Sequence, residues 1–137
     1  MNQAETIAKE VLALEQVALE RWAKGDPDAY LDITADDVSY FDPFLNQRLD
    51  GIESLRKWYG AYRGRVRISF DEIDEPRVQV MGDTAILTMQ FISHSSVGKA
   101  RWNCTEVYQE RAAGWRIVYT HWSPTKPTVR VPGREVR

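Results

Sequence analysis

Cysteine occurs once in this chain, at Cys104, and histidine twice, at His94 and His121. One thiol cannot close an intrachain disulfide, and the N-terminus has neither a basic leader nor an apolar core, so the expected location is cytoplasmic. With no CxxC partner, Cys104 reads as a buried apolar residue before a nucleophile. Two histidines far apart, with no HExxH, give no support to a metal site, and none is expected. No apolar run approaches the roughly 18 residues of a membrane span, so no membrane partner is expected. Glycines occur at element boundaries but never as GxGxxG or a phosphate loop, and no cofactor is expected. Nor is there an excess of one charge: 18 Lys and Arg against 20 Asp and Glu, interspersed, leave a net charge of -2. A nucleic-acid partner would find no basic field.

Aromatic residues, in contrast, are plentiful. Five Trp and six Tyr in 137 residues are large amphipathic side chains suited to lining a cavity or an interface. The length fits one core and one domain, expected over 1–124, with 125–137 an extended, proline-bearing tail. Asn2 and Glu5 have capping-box spacing, and Ile7, Val11, Leu14, Ala18 and Trp22 follow at helical intervals up to Gly25. Asp26-Pro27 predicts the cap and first turn of a short second helix with Tyr30 and Ile33. Val38 to Phe41 reads as a strand stopped by Pro43, and Asp50-Gly51-Ile52-Glu53 as the cap of a third helix carrying Leu55, Trp58, Tyr59 and Tyr62. The period then changes to two over 67–74, 77–81, 84–94, 101–110 and 115–123. Helices followed by antiparallel strands make an α+β domain.

The candidate chemistry starts at Tyr40-Phe41-Asp42-Pro43-Phe44. Asp42 has two readings: an Asx-type cap of the turn before Pro43, or a general base whose carboxyl is raised by an aromatic pocket. The last strand alternates Trp115, Ile117, Tyr119, His121 and Ser123 against Arg116, Val118, Thr120 and Trp122. Strict alternation puts Asn103 and Arg101 beside His121 in the cavity and leaves Val118 and Trp122 on the convex face as a homodimer contact. A bulge would reverse that choice. His121 is either a satisfied core residue or an acid, base or orienting group. Arg101 reads as an anchor for an anionic ligand group or as a surface charge. Trp22, Tyr30, Tyr40, Phe44, Trp58, Tyr62 and Tyr119 are core residues singly. Collected around Asp42, Asn103 and His121 they make an apolar pocket for a hydrophobic small molecule.

The ordered set Trp22-Ala23-Lys24-Gly25-Asp26, Tyr40 to Phe44, Asp50 to Leu55, Gly82-Asp83-Thr84-Ala85 and Gly114 to Ser123 resembles the NTF2-like superfamily, in particular its SnoaL-like and DUF4440-type members. The resemblance implies a cystatin-like cone, three N-terminal helices packed on a strongly curved antiparallel or mixed β-sheet. A homodimer through the convex sheet face is expected from the exposed stripe that includes Val118 and Trp122. Asp42, in its Asp-Pro pair, matches the catalytic aspartate of the ketosteroid isomerase branch. That branch's oxyanion-stabilising tyrosine matches Ala18, and its second acid falls near Asn103, so the same reaction is not implied. Two functions therefore stand. One is a cofactor-independent isomerase, cyclase or lyase acting on a hydrophobic carbonyl compound through Asp42, Asn103 and His121. The other is a non-catalytic ligand-binding or protein-association module.

Overall fold

A computed structural model describes residues 1–95 and 98–125. Helix α1 (Gln3–Ala23) starts where the spacing predicts: the Asn2 side chain accepts a hydrogen bond from the Glu5 N–H at 2.8 Å. Its buried stripe is Ile7, Val11, Ala18 and Leu19, with Glu15 inside the same stripe. The helix ends at Lys24, after which Gly25 takes φ +88° and accepts a backbone hydrogen bond from Gly64 at 2.9 Å. A side chain there would meet the Gly64 Cα at 3.1 Å, so only glycine lets the two segments touch.

Helix α2 (Asp28–Asp32) is one turn long and has Pro27 as its N-cap rather than in its first turn. The Asp26 carboxylate still receives the Asp28 N–H, at 3.0 Å. Strand β1 (Thr34–Phe41) starts earlier than Val38, and β2 (Leu49–Asp50), which the sequence did not predict, pairs with it antiparallel. That pairing sets Asp50 opposite Ser39 and beside Arg48. Helix α3 (Ile52–Gly60) is therefore capped by Gly51, with no side-chain cap.

Four long strands follow: β3 (Phe70–Met81), β4 (Thr84–Ser95), β5 (Gly98–Arg111) and β6 (Gly114–Pro124). The two runs expected over 67–74 and 77–81 are one strand, β3, interrupted by a register shift at Glu75, where φ is +50°. The sheet order is β2-β1-β6-β5-β4-β3. It is mixed, because β1 runs parallel to β6. The strong curl expected of a cone is not found; the sheet is not strongly curled. Helices and the inner sheet face share one core, in which Val11, Leu55, Leu87, Tyr108 and Ile117 are almost completely buried.

One irregularity decides which residues face that core. Between β5 and β6 the register passes from Tyr108 opposite Ile117 to Val107 opposite Tyr119, leaving Val118 as an extra residue. Before the bulge Trp115 and Ile117 point inward; beyond it Thr120 is buried and Tyr119 and His121 point outward. The expected alternation is thus reversed over the last turn of the strand. Of the tail expected over 125–137, only Thr125 is described, its N–H bonded to the Arg101 carbonyl at 3.2 Å; the remainder lies outside the described residues.

Candidate functional site

Between the helices and the inner sheet face lies a cavity of about 250 Å³. Its wall is aromatic on both sides. Trp22 of α1, Tyr30 of α2, Tyr59 of α3 and Tyr62 just beyond it form the helical side, and Phe91, Trp102 and Trp122 the sheet side, with Phe44 at the edge. On the helical side Trp22 stands 5.1 Å from Tyr59 and 5.7 Å from Tyr62 between ring centroids. On the sheet side Phe91 meets Trp122 edge-on at 6.0 Å, and Phe44 meets Trp102 at 6.2 Å.

Asp42 is the one charged side chain in this lining among the described residues. It lies immediately after β1, and its carboxylate receives three hydrogen bonds. The Tyr40 hydroxyl and the Trp58 indole N–H donate to Oδ2 at 2.9 and 2.8 Å, and the Phe44 backbone N–H donates to Oδ1 at 2.9 Å. The Phe44 contact is the Asx turn expected next to Pro43. All three donors are neutral, and Oδ1 keeps a lone pair for a further partner. The turn reading of Asp42 is met by one oxygen, while the carboxylate also lines the cavity. Burial pushes the Tyr40 phenol well above its usual range, with Tyr59 and Asp42 adding to it, so Tyr40 stays a neutral donor.

Behind the cavity is a pair of buried carboxyls. Glu15 and Glu106 are both inaccessible, at 0% and 1% exposure. Tyr30 and Tyr108 donate their hydroxyls to the two oxygens of Glu15 at 2.5 and 2.6 Å. Thr120 donates to Glu106 Oε2 at 2.8 Å, while Oε1 has no partner at hydrogen-bonding geometry. Burial first, and the neighbouring Glu15 second, push the Glu106 carboxyl well above the usual carboxylate range. Burial and the neighbouring Glu15 thus favour the protonated form of Glu106. Tyr30 connects the pair to the cavity, since its ring lines the wall and its hydroxyl reaches Glu15.

The family model for the calcium/calmodulin dependent protein kinase II association domain matches residues 7–126. The chain belongs to that family. None of the curated proteins matches it. Among solved structures, a Parabacteroides distasonis protein provisionally named a ketosteroid isomerase is 36% identical, with 93% of this chain and 92% of that one covered and a TM-score of 0.79. The S. rosetta CaMKII hub is 27% identical over 90% of this chain and 98% of its own, with a TM-score of 0.71. An NTF2-like protein of unknown function from Pseudomonas putida KT2440 reaches a TM-score of 0.82 at 16% identity, covering 98% and 96%. The fold is NTF2-like, as the sequence resemblance implied.

In this association-domain chain the cavity takes some of the expected site residues and not others. Trp22, Tyr30, Tyr40, Asp42, Phe44 and Tyr62 line it, and Trp58 holds Asp42 from behind. Asn103, His121, Arg101 and Tyr119 are on the opposite face of the sheet. Asn103 and His121 are exposed; Gln90 bonds Asn103 at 3.0 Å, and Arg101 pairs with Asp74 and Gln90. Tyr119 and His121 pack with Phe41 there, His121 at 5.4 Å. The Val118 bulge reverses β6, and on β5 it is Trp102, Cys104 and Glu106 that face inward. The same reversal corrects the expected dimer contact, because Trp122 lines the cavity.

The acid buried on β5 is Glu106, three residues beyond Asn103. Its partner Glu15 was readable as a lone charge in the apolar stripe of α1, four residues after Val11. Tyr59, Phe91, Trp102 and Trp122 were also missed as wall residues; the strand residues needed the register.

Proposed function

We propose that this chain binds a small, mainly apolar organic molecule in its aromatic cavity and that Asp42 acts on it as the base of a cofactor-independent proton transfer. The observation that carries this reading is Asp42 itself, a carboxylate in an aromatic wall, held by three neutral donors with a lone pair free on Oδ1. In an isomerase of this kind, the bond from hydrogen to the carbon next to a carbonyl breaks, the proton goes to Asp42, and the electron pair passes to the carbonyl oxygen. Return of the proton to another carbon moves the double bond; loss of a leaving group instead gives a lyase. The cavity, near 250 Å³, is somewhat smaller than the roughly 300–1,000 Å³ of drug-sized sites, so the ligand is a small metabolite. Asn103 and His121 have no part in this arrangement, and the Tyr30 and Tyr40 hydroxyls already donate to Glu15 and Asp42.

The test uses meta-tert-butylacetophenone, which carries a ketone on a small apolar body. It should quench tryptophan fluorescence saturably, and in heavy water its methyl protons should exchange faster with the protein present. Asp42→Asn should lower that exchange about 10²-fold or more, the usual worth of a positioned base. Binding without accelerated exchange would remove the proton-transfer step, and no binding would remove the cavity reading.

Self-association is a second reading, favoured by the association-domain match and by an outer sheet face that presents Phe41, Tyr119 and His121 together. Sedimentation equilibrium at micromolar protein should give a mass above the 15.8 kDa of one chain; a monomer would sink this reading.

A further inference from the structure

The charge of the ligand can be argued from the wall. Among the described residues no cation pairs with Asp42: its three hydrogen-bond donors are a phenol, an indole and a backbone amide. No Lys, Arg or His lines the cavity among the described residues. Four arginines on nearby segments are occupied elsewhere. Arg21 pairs with Asp26 and Arg63 with Asp28, while Arg67 donates to the Lys24 and Val66 carbonyls and Arg101 pairs with Asp74 on the outer face.

The rings opposite add to the same field. Trp22, Tyr59 and Tyr62 stand 5.1 and 5.7 Å apart about Trp22 at interplanar angles of 60° and 49°, so they form an inclined cluster rather than a closed stack. All three lie in the wall. Aromatic faces are the negative part of the ring quadrupole, and an electron-rich cluster of this kind attracts organic cations. Trp58 links cluster and carboxylate, with its indole N–H on Asp42 and its ring edge-on to Tyr62 at 5.9 Å. The Asp42 charge also reaches the Tyr62 phenol, which burial first and Asp42 second raise above its usual range. An anionic ligand would meet this carboxylate with no counter-charge, and a neutral one would leave the carboxylate unbalanced in an apolar wall.

We propose that the ligand of this cavity is an organic monocation, a quaternary ammonium or protonated amine on a small apolar body, with its charged centre against Trp22, Tyr59 and Tyr62 and its charge balanced by Asp42. This rests on the reading of the cavity as a small-molecule site. It also suits the proton transfer: when Asp42 takes a proton and the ligand becomes an enolate, the ligand's own cation keeps the negative charge balanced inside the cavity.

The decisive measurement compares two ketones of nearly equal shape, meta-trimethylammonioacetophenone and meta-tert-butylacetophenone, by tryptophan-fluorescence titration of the full chain. The cation should bind at least tenfold tighter than its neutral twin. Raising the salt should narrow the gap, and Asp42→Asn should remove most of it. Trp22→Leu should weaken the cation more than the neutral ketone. Equal binding of the two, or tighter binding of the neutral one, overturns the charge assignment while the small-molecule site stands. Failure of both to bind overturns the site and the charge together.

Discussion

Glu106 is the residue whose ionisation should be visible in the stability of the whole chain. Its pKa is raised in the folded state, by burial first and Glu15 second, from an ordinary value of 4.5. The folded protein therefore holds a proton that the unfolded chain releases. That contribution is fully present below about pH 4.5 and is lost as the pH rises from there through the raised folded value. Exposed aspartates with the opposite shift, such as Asp26 beside Arg21 and Asp28 beside Arg63, contribute stability that is lost only in acid. Glu106→Gln keeps the shape and is neutral at every pH. Its urea midpoint should be flatter than that of the parent between pH 5 and 9, with the mutant ahead at the alkaline end by about 1 kcal/mol per pH unit crossed. Parallel curves for parent and mutant would show that Glu106 is not the buried proton. Glu15→Ala is the harsher change, since it strands the Tyr30 and Tyr108 hydroxyls in the core. A loss of about 2–5 kcal/mol is expected from the cavity and the orphaned donors, measured by the same titration.

Single positions control whole elements in two places. At the end of α1, Gly25 combines φ +88° with a Gly64 Cα only 3.1 Å from where a Cβ would stand. Gly25→Ala should destabilise the chain by about 1–3 kcal/mol, since both the left-handed backbone and the close approach oppose it. It should also disturb Tyr62 and Val66, the wall residues flanking Gly64; thermal melts with ligand-quenching titrations would check both effects. In β6 the extra residue Val118 sets the parity of everything after it. Its deletion should turn Trp122 out of the cavity and bring His121 in. The expected signs are a red-shifted tryptophan emission and loss of ligand quenching, whereas unchanged emission would mean that the bulge does not set the parity.

Taken whole, the molecule has two faces that can be altered independently. The inner face of the sheet, with Phe91, Trp102 and Trp122, belongs to the cavity. The outer face carries the rings of Phe41, Tyr119 and His121 beside the Arg101, Gln90 and Asn103 network. Groups on opposite faces share few partners, so substitutions there should act additively, within about 0.5 kcal/mol. Tyr119→Ser should lower the sedimentation mass and leave the ketone titration unchanged. Trp122→Leu should weaken the titration and leave the mass unchanged. If either substitution moved both readouts, the separation of the faces would be wrong. No helix among the described residues is long and apolar enough to cross a membrane.

The amino-acid sequence by itself determined most of the elements, though not β2 or the joining of two runs into β3, and the position of the carboxylate. The helical stripe from Ile7 to Trp22, the strand stopped by Pro43 and the period-two runs after residue 67 are local patterns, set by side-chain spacing and the missing proline donor. Asp42 was legible for the same reason, since its Asx turn and its place at the end of an aromatic strand involve only neighbours. What the tertiary structure alone decided was which face each strand residue takes and which charges meet. The Val118 bulge leaves no local signature, yet it moved His121 and Tyr119 out of the site and Trp122 in, because each side chain beyond an inserted residue changes face. Glu106 looks like an ordinary surface acid, and Glu15 only like a lone charge in an apolar stripe, until packing brings the two together and removes the water from both.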